Sequence, residues 1–148
     1  MSIAQTATTS FKVELLQGIH NFGPTSPDTF KIALYTAAAN LGPTTTGYTA
    51  SSEVVGAGYA AGGNVLTITV SPTSGNNTAG LPTAYISFAN ATWTNATFTA
   101  RGALIYNATE SNKSVAVLDF GSDKTVNNDT FQVIFPTADA NSAIVRIS

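Results

Sequence analysis

The feature that most narrows the fold is a succession of short apolar runs, each closed by residues that interrupt regular structure. Phe30, Ile32 and Leu34 alternate with Lys31, Ala33 and Tyr35, the period-two pattern of a strand with one apolar face. Further runs lie at 65–70, 84–88, 101–106, 115–120, 130–135 and 142–147, and an extended stretch over 93–98 is anchored by Trp93. Pro72, Gly75-Asn76-Asn77, Glu110-Ser111-Asn112, Asn127-Asn128-Asp129 and Pro136 punctuate them. About seven short strands at roughly ten-residue spacing predict an all-β domain, an antiparallel β-sandwich or barrel. The near-continuous apolar run at 101–106 predicts a central strand.

One segment departs from this pattern. Phe11, Leu15, Ile19 and Phe22 share a helical face, which predicts a short N-terminal helix over 10–22. Ser10 is its expected N-cap, Gly18 weakens its centre and Gly23-Pro24 stops it. Residues 1–10 are small and polar, and read as a flexible or partner-bound arm ahead of a single domain over 11–148. The Thr-, Ala- and Gly-rich stretch 36–63 is too long for a structureless loop in a compact domain. Irregular extended pieces are expected in it around Glu53-Val54-Val55, and a polar loop over 73–83.

Composition enters where function is at issue. Only 9% of the residues are charged, against about 25% in an ordinary domain. Six Lys and Arg, without a basic run, and a net charge of −2 argue against nucleic acid and anionic membrane as partners. The first residues carry no signal-like apolar region, and no stretch approaches the roughly 20 apolar residues of a membrane span. The expectation is a protein made in a cytoplasm. Absence of cysteine removes thiol chemistry and disulfides. His20 is the only histidine, which leaves a His-based triad or multi-His metal site a single candidate. Asp119, Asp123 and Asp129 sit at turns without EF-hand spacing. The glycines of 56–62 precede a strand and lack the strand-to-helix context of a dinucleotide site. These residues predict a non-enzymatic protein with no cofactor and no metal.

The order of segments has a further meaning. Asp28-Thr29-Phe30-Lys31-Ile32-Ala33-Leu34-Tyr35-Thr36 is followed by Gly56-Ala57-Gly58-Tyr59-Ala60-Ala61-Gly62-Gly63. Then come Ala100-Arg101-Gly102-Ala103-Leu104-Ile105-Tyr106-Asn107, Ala116-Val117-Leu118-Asp119-Phe120-Gly121-Ser122 and Thr130-Phe131-Gln132-Val133-Ile134-Phe135-Pro136. Over residues 11–148 this succession resembles small β-rich virion structural proteins of tailed bacteriophages. The resemblance implies a virion component. A β domain of 15.2 kDa with a short arm suits capsid decoration, or cementing, on the head surface. Its partners would be the major capsid protein and copies of itself, as a homotrimer. The alternative is a tail- or fibre-associated adhesion module, which a groove lined by Trp93, Tyr85 and Tyr106 would favour.

Candidate partner contacts are Ile3 in the arm, the helix face of Phe11, Leu15, Ile19 and Phe22, and Tyr48 and Tyr59 in the 36–63 segment. For residues 1–10 the competing reading is a frayed terminus, and for Tyr48 and Tyr59 it is core packing. Arg101 is expected to pair with Asp119 across the sheet as a structural ion pair.

Overall fold

Two antiparallel sheets form the body of the protein in the computed structural model, which describes residues 1–148. The elements are β1 (Thr6–Ala7), α1 (Thr9–Leu16), β2 (Phe30–Tyr35), β3 (Asn64–Leu66), β4 (Ile68–Asn76), β5 (Pro82–Phe88), β6 (Ala91–Asn107), β7 (Lys113–Val133) and β8 (Val145–Ile147). The larger sheet runs in the order β1-β7-β6-β2-β3, and the smaller one β4-β5-β8. This is the all-β architecture with one short helix that the strand pattern predicts.

The two sheets share a core. Phe30, Ile32 and Leu34 of β2 face Ile86 and Phe88 of β5, and Phe22 stacks on Phe30 with ring centroids 4.3 Å apart. The larger sheet is buried on its other face too. There Ala33, Tyr35, Leu104, Tyr106 and Val117 meet Ala39 and Leu41, with Ile3 and Tyr48 packed alongside. The 36–63 segment and the N-terminal residues therefore act as a third layer. That explains the apolar run of β6, which lies between β7 and β2 and is covered on both sides.

The arm corrects an expectation. It is paired with its own domain: Thr6 and Ala7 oppose Val117 and Ala116, and Ile3 bridges to Leu41. Ile3 lies where a side chain on residue 102 would be; a Cβ at Gly102 would sit 2.9 Å from Ile3 Cδ1. The short polar residues conceal one plug and a register of main-chain bonds, which hydropathy does not register.

The helix is shorter than predicted. Its N-cap is Thr8, whose side chain accepts from Phe11 N, and it ends at Leu16. Gly18, at φ +70, donates to Leu15 O while Ile19 N donates to Glu14 O, the paired bonds of a Schellman cap. Gly18 is thus the stop signal, not a weak centre, and Ile19 and Phe22 lie beyond the helix.

Strands also run longer than expected. The expected 73–83 loop is largely strand: β4 and β5 pair from Thr73 with Tyr85 to Asn76 with Pro82, and the turn itself is confined to 77–81. Pro72 falls at a register shift between Val70 and Thr73, where a missing N–H does no harm. The runs at 115–120 and 130–135 belong to the single strand β7, apart from its last two residues. Phe120 and Phe131 on a straight strand would be about 36 Å apart, yet their ring centroids are 6.2 Å apart. The β6–β7 ribbon therefore folds sharply, at register shifts near Asn95 and Asn128 (φ +48 each) and at Gly121 (φ +77). Folding it over collects Trp93, Phe98, Phe131 and Tyr59 into one aromatic cluster.

Candidate functional site

The residues singled out as partner contacts are turned inward. Phe11 and Phe22 belong to the main core, and Leu15 and Tyr59 are packed against it. Ile3 and Tyr48 pack against the second cluster, and Ile19 is half-buried. Helical periodicity identifies which face is covered; here the domain itself covers it. The large side chains left outside are others, among them Leu16 and Val55, each 93% exposed, and Ile134 at 70%. Nothing in the local pattern distinguishes these from core residues. Trp93, Tyr85 and Tyr106 do not form a groove: Trp93 packs on Tyr59, Tyr106 stacks on Tyr48, and Tyr85 lies on the smaller sheet. Arg101 Nε does meet Asp119 Oδ1, at 3.4 Å. Asp119 also accepts from Gly121 N, and the two contacts lower its carboxyl pKa, the Gly121 bond most.

Two buried polar networks have no signature in the sequence. Glu53 is 8% exposed and accepts three hydrogen bonds: from Tyr48 (2.7 Å), Tyr59 (2.6 Å) and the Gly62 amide (2.7 Å). Tyr59 accepts in turn from Leu34 N, and Tyr106 donates to Gly62 O. Tyr35 closes the group by donating to Thr49 O. Burial, reinforced by the Glu53 charge, raises the pKa of all four phenols, to about 12 for Tyr48. One carboxylate thus ties a long irregular segment to the sheet. Its direct partners lie within residues 48–62, but the links onward to the sheet, at Leu34 and Tyr106, are remote in sequence, so no local motif announces the network.

The second network contains the lone histidine. Asn107 is fully buried, and its Oδ1 accepts from the amides of Thr109 and Glu110, which fixes the orientation of its side chain. Its Nδ2 then donates to Asp28 Oδ2 (2.8 Å) and to His20 Nδ1 (3.0 Å). His20 Nδ1 is therefore an acceptor, so the ring proton sits on Nε2 and is donated to Glu14 Oε2 at 2.7 Å. Both nitrogens are engaged, and the ring packs on Phe11. This arrangement locks the loop after α1 onto the end of the β6–β7 hairpin and leaves His20 no free nitrogen for proton transfer to a ligand.

The remaining feature is open. A cleft of about 470 Å³ separates α1 and β1 from the chain around β8. Thr6 and Ala7 form one wall and 144–148 the other, and both β1 and β8 are outermost strands of their sheets. A second hollow of about 360 Å³ shares Leu15, Val145 and Ile147 with it. β3 and β4 are the other outermost strands, but the gap between β1 and β8 brings two unpaired edges to one cleft, where main-chain groups are open to another chain. No helix is long and apolar enough to cross a membrane. No protein-family model, no curated protein and no solved structure matches this chain.

Proposed function

We propose that the chain is a structural component of a tailed-phage virion, a decoration or cement protein that binds assembled head subunits and stabilises the shell. The observation that supports this reading best is the cleft between the edges of β1 and β8, an incomplete junction that another protein chain can fill. The engagement of His20 and Glu53 inside the fold agrees with it, since these groups hold loops in place. The resemblance to small virion proteins supplies the particle. With only 9% of its residues charged, the chain adds little long-range repulsion between neighbouring copies. By linkage, a protein that binds the assembled shell and not free subunits makes the shell harder to disrupt.

The test is co-sedimentation of the purified chain with head shells assembled from the major capsid protein of the same source. Binding in proportion to the capsid protein, as trimers, together with greater resistance of decorated shells to heat, is the expected outcome. No association with shells, or association with tails alone, overturns it.

A further inference from the structure

We propose that the cleft between β1 and β8 receives an extended acidic segment of a partner protein, which adds as a strand along β8 and sets its carboxylates against Lys12 and Arg146. The proposal rests on the reading of the chain as an assembly protein and specifies the chemistry of what it binds.

Three observations point to this occupant. The first is shape. The two hollows share Leu15, Val145 and Ile147, so an apolar strip joins one to the other. The second is the state of the edge. β8 is paired only with β5, and Ile147 remains 59% exposed. An edge strand presents alternating free N–H and C=O groups, and only another extended backbone matches their spacing.

The third is charge. Lys12 and Arg146 both line the larger hollow, both are exposed, and neither makes a salt bridge. No Asp or Glu lines either hollow, although the chain as a whole carries −2. A carboxylate on Ser148 would offset one of the two cations, not both. Two cations on an apolar floor suit a strand whose acidic side chains alternate with apolar ones. Two are too few to hold a nucleic-acid backbone, which is bound through many phosphate contacts.

The probe is a blocked peptide, acetyl-Thr-Val-Glu-Leu-Glu-Val-Thr-amide, with three comparisons: its lysine counterpart, a version N-methylated at alternate residues, and inorganic phosphate. Binding is followed by amide chemical shifts on the full chain. The expected result is saturable binding with shifts confined to α1, β1 and β8. The N-methylated and lysine peptides should bind at least about ten-fold more weakly. The Lys12→Glu/Arg146→Glu double variant, altered only at exposed positions, should reverse the preference in favour of the lysine peptide. Absence of binding, shifts elsewhere, equal binding of the lysine peptide, or equal displacement by phosphate would each overturn the proposal. The same double variant separates the two readings in the shell assay. If the native chain binds shells and the variant binds equally, the cleft assignment fails and the virion assignment stands.

Discussion

Replacing Glu53 with leucine removes the acceptor for three donors, and the consequences differ donor by donor. The Gly62 amide is buried and its only partner in the structure is Glu53, so it is left bare. Tyr59 keeps the bond that it accepts from Leu34 N but loses the acceptor for its own proton in a largely buried setting. Tyr48 is less enclosed and can turn its hydroxyl to water. Each bare buried donor costs about 1–3 kcal/mol. Opposing this, a leucine needs no hydration, and removing a buried charge recovers its desolvation penalty. Because the donors stay behind, their loss of about 2–6 kcal/mol should dominate, and after the partial offset a net destabilisation of about 2–4 kcal/mol is expected. That is a large share of the roughly 5–15 kcal/mol that holds a domain of this size together. Glu53→Gln keeps an oxygen for Tyr59 and Gly62, and its amide can donate to Tyr48, so about 1 kcal/mol is expected. Urea unfolding followed by Trp93 fluorescence measures both, with the only tryptophan 6.1 Å from the Tyr59 ring. Were Glu53→Leu as stable as the native protein with an unchanged denaturant slope, the carboxylate would not be what anchors the 36–63 segment.

The phenols around Glu53 predict a pH response. Their folded pKa values lie above the unfolded value near 10, so the stability they confer is complete below about pH 10 and declines above it. The decline reaches up to about 1.4 kcal/mol per pH unit for the more enclosed Tyr35 and Tyr59 and is smaller for the solvent-screened Tyr48, and unfolding and tyrosinate absorbance should rise together in an alkaline titration. At Gly63 (φ +70) a Cβ would sit 1.8 Å from Ile32 O, whereas at Gly80 (φ +75) it would meet nothing. Thermal melts should show Gly63→Ala costing more than about 3 kcal/mol and Gly80→Ala only about 1–2. Long-range ¹⁵N spectra should find the His20 proton on Nε2, and Asn107→Leu, which strips partners from His20, Asp28 and two amides, should cost at least about 3 kcal/mol. Deleting residues 1–7 strips Ile3 from the second core cluster and β1 from β7 and should lower the melting temperature without abolishing folding; an unchanged melt would mean the arm is not held by its own domain.

The sequence by itself determined the class of the fold. Alternation at 30–35 and the apolar run at 101–106 state which residues are covered, because side chains on a strand alternate with a period of two wherever the strand is placed. It also held the helix face of Phe11 and Leu15 and the Arg101–Asp119 pair. What it did not determine is what does the covering. Phe11 and Phe22 look the same in sequence whether they meet a partner or β2, and only the docking of the loop after α1 assigned them to the core. The polar networks are long-range for the same reason: Asn107 and His20 stand far apart in the chain, as do Glu53 and the strand that its tyrosines brace. The β6–β7 ribbon folds at bulges that place Phe120 against Phe131, which a strand pattern keeps far apart. Even the cleft exists only because β1 and β8, from opposite ends of the chain, stop unpaired beside each other. Burial is written locally, in periodicity; the partner that provides it is a property of three-dimensional closure.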